Sequence, residues 1–123
     1  MLRIIKGKDY SKYYNVRKDE NGKPYLVDSN KYISISHTDK FTLVITSNTP
    51  IGIDVERIRT IDPKLKKLLN ISTNNKYLFF KEWTRREAYI KKENLKLKDI
   101  INLKTKGRFR TIFLYPYVIS ICK

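Results

Sequence analysis

The sequence predicts an α+β domain in which a mainly antiparallel sheet packs on one long helix. Residues 32–36, 41–47 and 51–56 are short segments of β-branched or alternating composition, which is typical of strands. Residues 75–93 instead carry apolar side chains at helical spacing. With 123 residues, of which 41% are hydrophobic, the chain suits one core and hardly allows two. We therefore expect a single domain over residues 1–123.

The first half of the chain predicts five strands. These are Leu2–Ile5 at a sheet edge, Tyr25–Val27 after the turn Asn21-Gly22-Lys23-Pro24, Tyr32–Ser36, Phe41–Ser47 and Ile51–Glu56. Within Tyr32–Ser36, isoleucine and serine alternate, so the two serines share one face. Asn48-Thr49-Pro50 separates the last two strands, and residues 41–56 are therefore predicted to form a hairpin.

The second half predicts two helices and three more strands. Asp62 and Pro63 favour a helix start, with the helix ending near Leu69. A long helix is predicted from about Asn75 to Glu93, with Ser72, Thr73 or Asn74 as its N-cap and Asn94 as its C-cap. The strands are Ile100–Leu103, Arg108–Tyr115 and Tyr117–Cys122, with a turn at Lys106-Gly107 and a bend or edge position at Pro116.

The composition indicates the cellular compartment in which the protein is expected. No apolar run is long enough to cross a bilayer, and the apolar part of the N-terminus is too short for the core of a signal peptide. Cys122 is the single cysteine, so no internal disulfide can form. We therefore expect a cytoplasmic protein with no membrane partner.

The net charge of +15 is compatible with several partners. It favours nucleic acid, an anionic ligand or an acidic protein, and part of it is compositional, because lysine is abundant throughout. Tyrosines and lysines alternate in residues 9–14, which could stack on and pair with a nucleic-acid strand. The basic residues are scattered rather than clustered, however, so we expect no nucleic-acid partner.

The segment Gly52–Glu56 carries two carboxylates at alternate positions. Side chains alternate across a strand, so Asp54 and Glu56 share the face that Gly52 leaves open, about 6.6 Å apart at Cα. Like charges this close repel unless a cation or water lies between them. The pair is either a solvated strand face or half of a cation site, and Gly52 would then let a ligand approach the backbone.

The long helix supplies a third carboxylate. Glu87 occupies the apolar stripe between Trp83 and Ile90, and Lys91 follows one turn later on the same face. Glu87 and Lys91 could simply form an ion pair at the rim of the core. Alternatively, Glu87 joins Asp54 and Glu56 as an oxygen ligand, and Lys91 neutralises a phosphate. Three carboxylates without a cysteine partner favour Mg²⁺ over Zn²⁺.

Three further polar residues complete the candidate site. Ser36 and His37 end a predicted strand, where a hydroxyl and an imidazole can donate hydrogen bonds to phosphate. Lys23 is exposed by its turn and is either a solvated lysine or a ligand-binding one. A lone histidine is more often structural than catalytic, so its position at a strand end is what favours a site.

At these residues the chain resembles the 4′-phosphopantetheinyl transferase superfamily. Four motifs carry the resemblance in the family's order: Gly22-Lys23-Pro24, Ile35-Ser36-His37-Thr38, Gly52-Ile53-Asp54-Val55-Glu56 and Trp83-Thr84-Arg85-Arg86-Glu87-Ala88-Tyr89-Ile90-Lys91. The acid at Glu56 favours the type that serves surfactin synthetase and similar enzymes. Each motif alone is weak, but four in order with compatible spacing are specific.

The resemblance implies transfer of the 4′-phosphopantetheine arm of coenzyme A to a serine of an acyl or peptidyl carrier protein, in fatty acid or secondary metabolite biosynthesis. The released product would be adenosine 3′,5′-bisphosphate. By motif match, Asp54, Glu56 and Glu87 would hold Mg²⁺ on the pyrophosphate, and Glu87 would also be the base for the serine. The resemblance further places Lys91 and His37 on phosphate oxygens, and Lys23 and Ser36 at the nucleotide end.

The chain also departs from the family. Arg86 stands where lysine is usual, which keeps the charge but not the geometry. Members of the surfactin-synthetase type have two similar halves with the site between them, and most of the first half has no counterpart here. Either Arg3, Lys6, Lys8 or Arg17 replaces its phosphate contacts, or a second subunit of a homo-oligomer does, or the nucleotide binds poorly. The alternative function is a non-catalytic module of the same fold that binds the carrier protein or coenzyme A.

Overall fold

The computed structural model of the chain describes residues 1–100 and 105–123. The elements in chain order are β1 (Leu2–Lys6), β2 (Val16–Lys18), β3 (Pro24–Leu26), β4 (Tyr32–His37), β5 (Phe41–Ser47), β6 (Gly52–Arg57), α1 (Pro63–Leu69), α2 (Lys76–Glu93), a 3₁₀ helix (Leu97–Ile100), β7 (Phe109–Leu114) and β8 (Tyr117–Cys122). The predicted α+β class is confirmed. The two predicted helices correspond to α1 and α2. Within the described residues, however, the strands divide among three sheets instead of a single one.

All strand pairs in these sheets are antiparallel. One sheet has the order β1-β5-β4, a second is the β2-β3 pair, and the third has the order β6-β8-β7. The strand β1 is therefore at an edge, as predicted from the sequence. Part of the predicted strand over residues 100–103 lies outside the described residues, and Ile100 itself ends the 3₁₀ helix.

The predicted hairpin over residues 41–56 is wrong. The strand β5 pairs with β1 and β4, whereas β6 pairs with β8. Two serine hydroxyls of β4 join the two sheets: Ser34 Oγ accepts a hydrogen bond from Ile53 N at 3.0 Å, and Ser36 Oγ accepts one from Val55 N at 3.1 Å. Backbone amides of β6 are thus satisfied by side chains, so β6 needs no ladder with β5.

The helix α2 is fixed at both ends by asparagine. Asn75, and not Ser72, Thr73 or Asn74, is the N-cap, because its side chain accepts hydrogen bonds from Tyr77 N and Leu78 N. Asn94 ends the helix in the left-handed conformation, which asparagine tolerates well. Between these caps, α2 packs across β6 and β8.

At Gly52 the backbones of α2 and β6 come close together. A Cβ atom at this position would lie 1.8 Å from the carbonyl oxygen of Ala88 and 2.7 Å from Lys92 N. The expectation that Gly52 opens the strand to a ligand is therefore wrong: the missing side chain admits the helix backbone instead.

The apolar core lies on both sides of the β6-β8-β7 sheet. Ile53 and Val55 belong to a cluster that fills the space towards β5. A second cluster joins the aromatic residues Phe79 and Phe80 of α2 to Val118 of β8 and to residues around α1. Asp54 and Glu56, which alternate with Ile53 and Val55, consequently face α2. Among the described residues, no helix combines the length and apolar character that crossing a bilayer requires.

Candidate functional site

Asp54 is the buried centre of the candidate site. Its side chain lies under α2 with only 6% of the residue exposed. The Oδ1 atom accepts hydrogen bonds from Ser36 Oγ and from Lys91 Nζ, both at 3.2 Å, whereas the buried Oδ2 atom has no hydrogen-bond partner among the described residues. Burial raises the pKa of Asp54 to about 7, opposed by the charge of Lys91 and reinforced by Glu56 and Glu87. The orphaned Oδ2 atom leaves one strong acceptor available.

Glu56 and Glu87 lie near Asp54 but have partners of their own. Glu56 Oε2 is 3.4 Å from Arg59 Nη1, and Trp83 Nε1 donates to Glu87 Oε1 at 3.3 Å. Burial raises the pKa of Glu56, Arg59 opposes this shift, and Glu87 adds to it. Since Glu87 acts upward on the pKa of both Asp54 and Glu56, the three negative charges are neighbours.

These carboxylates do not form a preassembled metal centre. Among residues 1–100 and 105–123, no three histidine, cysteine, aspartate or glutamate side chains are grouped so that they could hold a metal ion. The donor chemistry still fits Mg²⁺, because carboxylate oxygens are its usual protein ligands and Asp54 Oδ2 is unpaired. Ion binding would have to draw Glu56 and Glu87 away from Arg59 and Trp83.

Lys91 connects the acidic residues to the neighbouring strand. Its Nζ atom donates to Asp54 Oδ1 and to the carbonyl oxygen of Ile35, each at 3.2 Å. The lysine therefore pairs with an acid of β6, and not with Glu87 on its own helix. This contact brings β4, β6 and α2 together around one ammonium group.

A cleft of about 470 Å³ is lined in part by Lys91. Three of the predicted site residues line it, namely Lys23, His37 and Lys91. Asp54, Glu56 and Glu87 are not among its lining residues. The candidate site thus has a basic cleft and an acidic centre, and Lys91 lies in both.

Ser36 and Lys23 make contacts that the sequence did not predict. Ser36 is buried and lies outside the cleft lining, and its hydroxyl is shared between Asp54 and the amide of Val55. Lys23 Nζ donates to the carbonyl oxygen of Lys92 at 3.1 Å, and burial lowers its pKa. Lys23 therefore ties the β2-β3 hairpin to the last turn of α2.

Arg86, the departure from the family motif, points elsewhere. Its guanidinium is buried, pairs with Glu82 at 3.0 Å, and donates to the carbonyl oxygens of Leu69 and Ile100. The fork of an arginine can reach several acceptors at once, which a lysine ammonium cannot do with the same geometry. Arg86 consequently holds the end of α1 and the 3₁₀ helix on α2.

Several residues of the cleft lie outside the motifs, among them Lys18 and Tyr10. Lys8, one of four basic residues considered as replacements for phosphate contacts, also lines it. Of the other three, Arg3 lies over the rings of Tyr13 and Tyr14. A signal was available for Lys18 in the predicted turn Asn21-Gly22-Lys23-Pro24, since Lys18 lies opposite Pro24 across that turn.

Comparison with known proteins agrees with the motifs. No protein-family model matches the chain. Among curated proteins, the 4′-phosphopantetheinyl transferase gsp of Aneurinibacillus migulanus is 39% identical over 88 aligned residues, which cover 61% of this chain. The chain spans only 36% of that relative's length. The similarity confirms the resemblance to the 4′-phosphopantetheinyl transferase superfamily.

Proposed function

We propose that this chain transfers the 4′-phosphopantetheine arm of coenzyme A to a serine of an acyl or peptidyl carrier protein. The observation that carries the proposal is the pairing of Asp54 with Lys91 between an acidic centre and a basic cleft. Transfer of a phosphoryl group chiefly needs charge neutralisation and alignment, and both are available there. The similarity to the Aneurinibacillus enzyme supports the same reaction class.

In this proposal the chain's own residues bind and align the substrates. Lys91 and His37, which both line the cleft, bind phosphate oxygens, and Lys91 also contacts Asp54. Glu87 accepts the proton of the carrier serine as the serine oxygen bonds to phosphorus, while the pyrophosphate bond breaks and adenosine 3′,5′-bisphosphate leaves. Mg²⁺ held by Asp54, Glu56 and Glu87 would supply charge neutralisation on the pyrophosphate. A reducing compartment such as the cytoplasm suits the buried thiol of Cys122.

The direct test is intact mass spectrometry. The protein is incubated with coenzyme A, Mg²⁺ and a panel of apo carrier proteins, and a carrier that accepts the arm gains the mass of one phosphopantetheine group. A carrier with its acceptor serine replaced by alanine is the control and should gain nothing. If no carrier in the panel is modified while a known transferase modifies the same panel, the catalytic proposal fails.

Glu87→Gln tests the proposed base. The variant keeps the shape and the acceptor for Trp83 Nε1 but loses the negative charge, so we expect transfer to fall by about 10²-fold or more with unchanged thermal unfolding. Glu93→Gln is the matched control, because Glu93 lies on the same helix and is exposed. Near-normal transfer by Glu87→Gln would contradict the assigned role.

A specific observation favours the non-catalytic alternative. The three carboxylates are not grouped as a metal centre among the described residues, and Lys91 already has two acceptors within the protein. A module that binds coenzyme A or a carrier protein needs no such centre. Calorimetric titration of coenzyme A with and without Mg²⁺ separates the two functions: heat that requires Mg²⁺ supports the transferase, and equal heat in both conditions supports the module.

A further inference from the structure

Arg59 is a cation beside the acidic centre formed by Asp54, Glu56 and Glu87, and it lies outside the four motifs. Its Nη1 atom is 3.4 Å from Glu56 Oε2 and donates to the carbonyl oxygen of Arg57 at 2.7 Å. The other two acids of the centre instead have partners on α2. Arg59 is therefore the counter-ion of Glu56 in the folded protein.

The same guanidinium lies over two aromatic rings of α2. Arg59 Cζ is 4.7 Å from the ring centroid of Phe80 and 5.5 Å from that of Trp83. The two rings are stacked on each other, with their centroids 5.6 Å apart. A guanidinium over aromatic faces gains a cation–π attraction in addition to its ion pair. Arg59 thus connects the end of β6 to the aromatic residues of α2.

Trp83 extends this connection to a second acid. Its Nε1 atom donates to Glu87 Oε1 at 3.3 Å, so a continuous series of contacts runs from Glu56 through Arg59 and Trp83 to Glu87. In this arrangement, the acids within residues 1–100 and 105–123 are not grouped to hold a metal ion. Two of the three carboxylates are therefore engaged by one network that includes Arg59.

The backbone of Arg59 is held in place, whereas its side chain is accessible. The preceding residue, Ile58, is buried, and its amide donates to the carbonyl oxygen of Pro116 at 2.7 Å. Ile58 also belongs to the same apolar cluster as Phe80. In contrast, 48% of the Arg59 side chain is exposed. The guanidinium can therefore leave the rings for solvent without disturbing the core.

We infer that Arg59 is a positioning residue that occupies the place of a cation at Glu56 until a metal ion binds. Ion binding exchanges the guanidinium at Glu56 for the ion, and Arg59 then leaves the ring of Trp83. The inference rests on the proposed function only for the identity of the ion, Mg²⁺. Arg59 and the ion compete for one carboxylate, so removal of the guanidinium strengthens ion binding.

Calorimetric titration with Mg²⁺ in the absence of coenzyme A tests this competition. Arg59→Met removes the charge and keeps an unbranched apolar side chain for the rings. We expect this variant to bind Mg²⁺ about fivefold more tightly than the unmodified protein, because the exposed ion pair with Glu56 no longer has to be broken. A misfolded variant would bind the ion more weakly, so a gain in affinity cannot come from lost structure.

The matched control is Arg57→Met, which removes the same charge from the residue next to Glu56. Side chains alternate along β6, so the exposed Arg57 lies on the face opposite Glu56, and its carbonyl oxygen remains as an acceptor for Arg59. In about 0.15 M salt, its affinity for Mg²⁺ should stay within about twofold of the unmodified protein, since exposed charges are screened. The inference is overturned if Arg59→Met binds Mg²⁺ no more tightly than Arg57→Met.

Fluorescence gives a second readout, because Trp83 is the single tryptophan of the sequence. In the unmodified protein, its emission should change with the same Mg²⁺ midpoint as the calorimetric heat, because the guanidinium leaves the indole ring. The change should be smaller in Arg59→Met, and NaCl at equal ionic strength should not reproduce it. A change of equal size in both proteins would contradict the displacement of Arg59.

This inference and the proposed function fail in different ways. A gain in Mg²⁺ affinity in Arg59→Met without arm transfer to any carrier would leave the inference standing and remove the transferase proposal. Arm transfer by the unmodified protein, with no gain in affinity in Arg59→Met, would do the reverse. If neither protein binds Mg²⁺, the inference is overturned whether or not the arm is transferred.

Discussion

At the scale of single residues, the contribution of the site to the free energy of folding depends on how Asp54 is buried. A carboxylate under a helix loses its hydration, and one ammonium and one hydroxyl replace only part of it. Its pKa of about 7 expresses this imbalance. The orphaned Oδ2 atom shows that the folded protein holds an acceptor that ordinary packing does not require. Protonation or another interaction, for example with a bound cation, lowers the cost of burying this group.

Asp54 makes stability depend on pH in a direction that can be measured. The pKa is raised from 3.8 in the unfolded chain to about 7 in the folded protein, so the folded state binds the extra proton between these values. The stabilising contribution is fully present below about pH 4 and is lost as pH rises towards 7. In Mg²⁺-free buffer, the free energy of unfolding relative to Asp54→Asn should fall over this interval by up to about 4 kcal/mol.

Urea unfolding of both proteins at a series of pH values measures this difference. Asp99→Asn, in the 3₁₀ helix, is the control. Its free energy of unfolding should change with pH in the same way as that of the unmodified protein. A free-energy difference between the protein and Asp54→Asn that stays flat, or grows with pH, would contradict the assignment. Repeating the series with Mg²⁺ then shows whether a cation restores the stability lost above pH 7.

At the scale of elements, the contact of β6 with α2 depends on Gly52. A methyl group there would overlap the carbonyl oxygen of Ala88, which is backbone and cannot rotate away. We expect Gly52→Ala to lower the free energy of unfolding by about 3 kcal/mol or more, or to separate α2 from the sheet. Gly22→Ala is the comparison, since its site is open and only its positive φ of 82° opposes a side chain, at about 1 kcal/mol.

Thermal unfolding of the two glycine variants checks this prediction. The expected order is a small loss for Gly22→Ala and a large one for Gly52→Ala. Equal, small losses would mean that α2 can move away from β6 at little cost, and the position of Glu87 and Lys91 over Asp54 would then not be fixed by the fold.

Ser34 and Ser36 of β4 bond to β6 and so join the two larger sheets; this contact, called the seam below, gives a second prediction at this scale. In Ser34→Ala, the buried amide of Ile53 loses its acceptor, because no ladder partner replaces the hydroxyl on that side. We expect a loss of about 1–3 kcal/mol in the free energy of unfolding, measured by urea titration. Ser72→Ala, at an exposed loop position, should change it by less than about 0.5 kcal/mol. A loss for Ser34→Ala no larger than that of the control would mean that the hydroxyl does not hold the seam.

Local signals predicted the elements better than their assembly. The strands β5 and β8 and the C-cap of α2 at Asn94 follow from residue type and spacing, which act within a few residues. The wrong hairpin arose because pairing of β6 with β8 joins residues 60 to 70 positions apart, which no local pattern encodes. Gly52 was misjudged for the same reason, since its neighbour Ala88 is distant in sequence.

The candidate site, too, was predicted where local pattern suffices and missed where distant contacts decide. The motifs select Lys23, His37 and Lys91, and the structure places all three around one cleft. Alternation correctly places Asp54 and Glu56 on one face of β6. The sequence pattern could not predict that the hydroxyl of Ser36 accepts a hydrogen bond from Val55 N, because Val55 belongs to another sheet. Lys8 and Lys18 belong to none of the motifs, and only the fold brings them to the cleft.

At the scale of the whole molecule, the net charge of +15 must affect how anionic partners arrive. The proposed substrates are a phosphorylated nucleotide and an acidic carrier protein, and long-range attraction raises the rate at which such partners meet a basic surface. Salt screens this attraction over distances beyond about 10 Å at 0.1 M, whereas contacts inside the cleft are screened less. The rate of association with the carrier and the rate of the transfer step should therefore respond differently to ionic strength.

We expect kcat/KM for the carrier protein to fall about tenfold or more as salt rises from about 0.05 M to about 0.5 M, because this parameter includes the encounter of free partners. The single-turnover transfer rate at saturating carrier should change by less than about twofold, since the partners are already bound. The control is an equal osmotic change made with sucrose, which leaves charge interactions intact. If kcat/KM does not vary with salt, the positive charge only reflects the abundance of lysine and plays no part in attracting the carrier. If the saturated rate falls equally, salt acts on the cleft itself, where Lys91 and Asp54 would be the groups it disrupts.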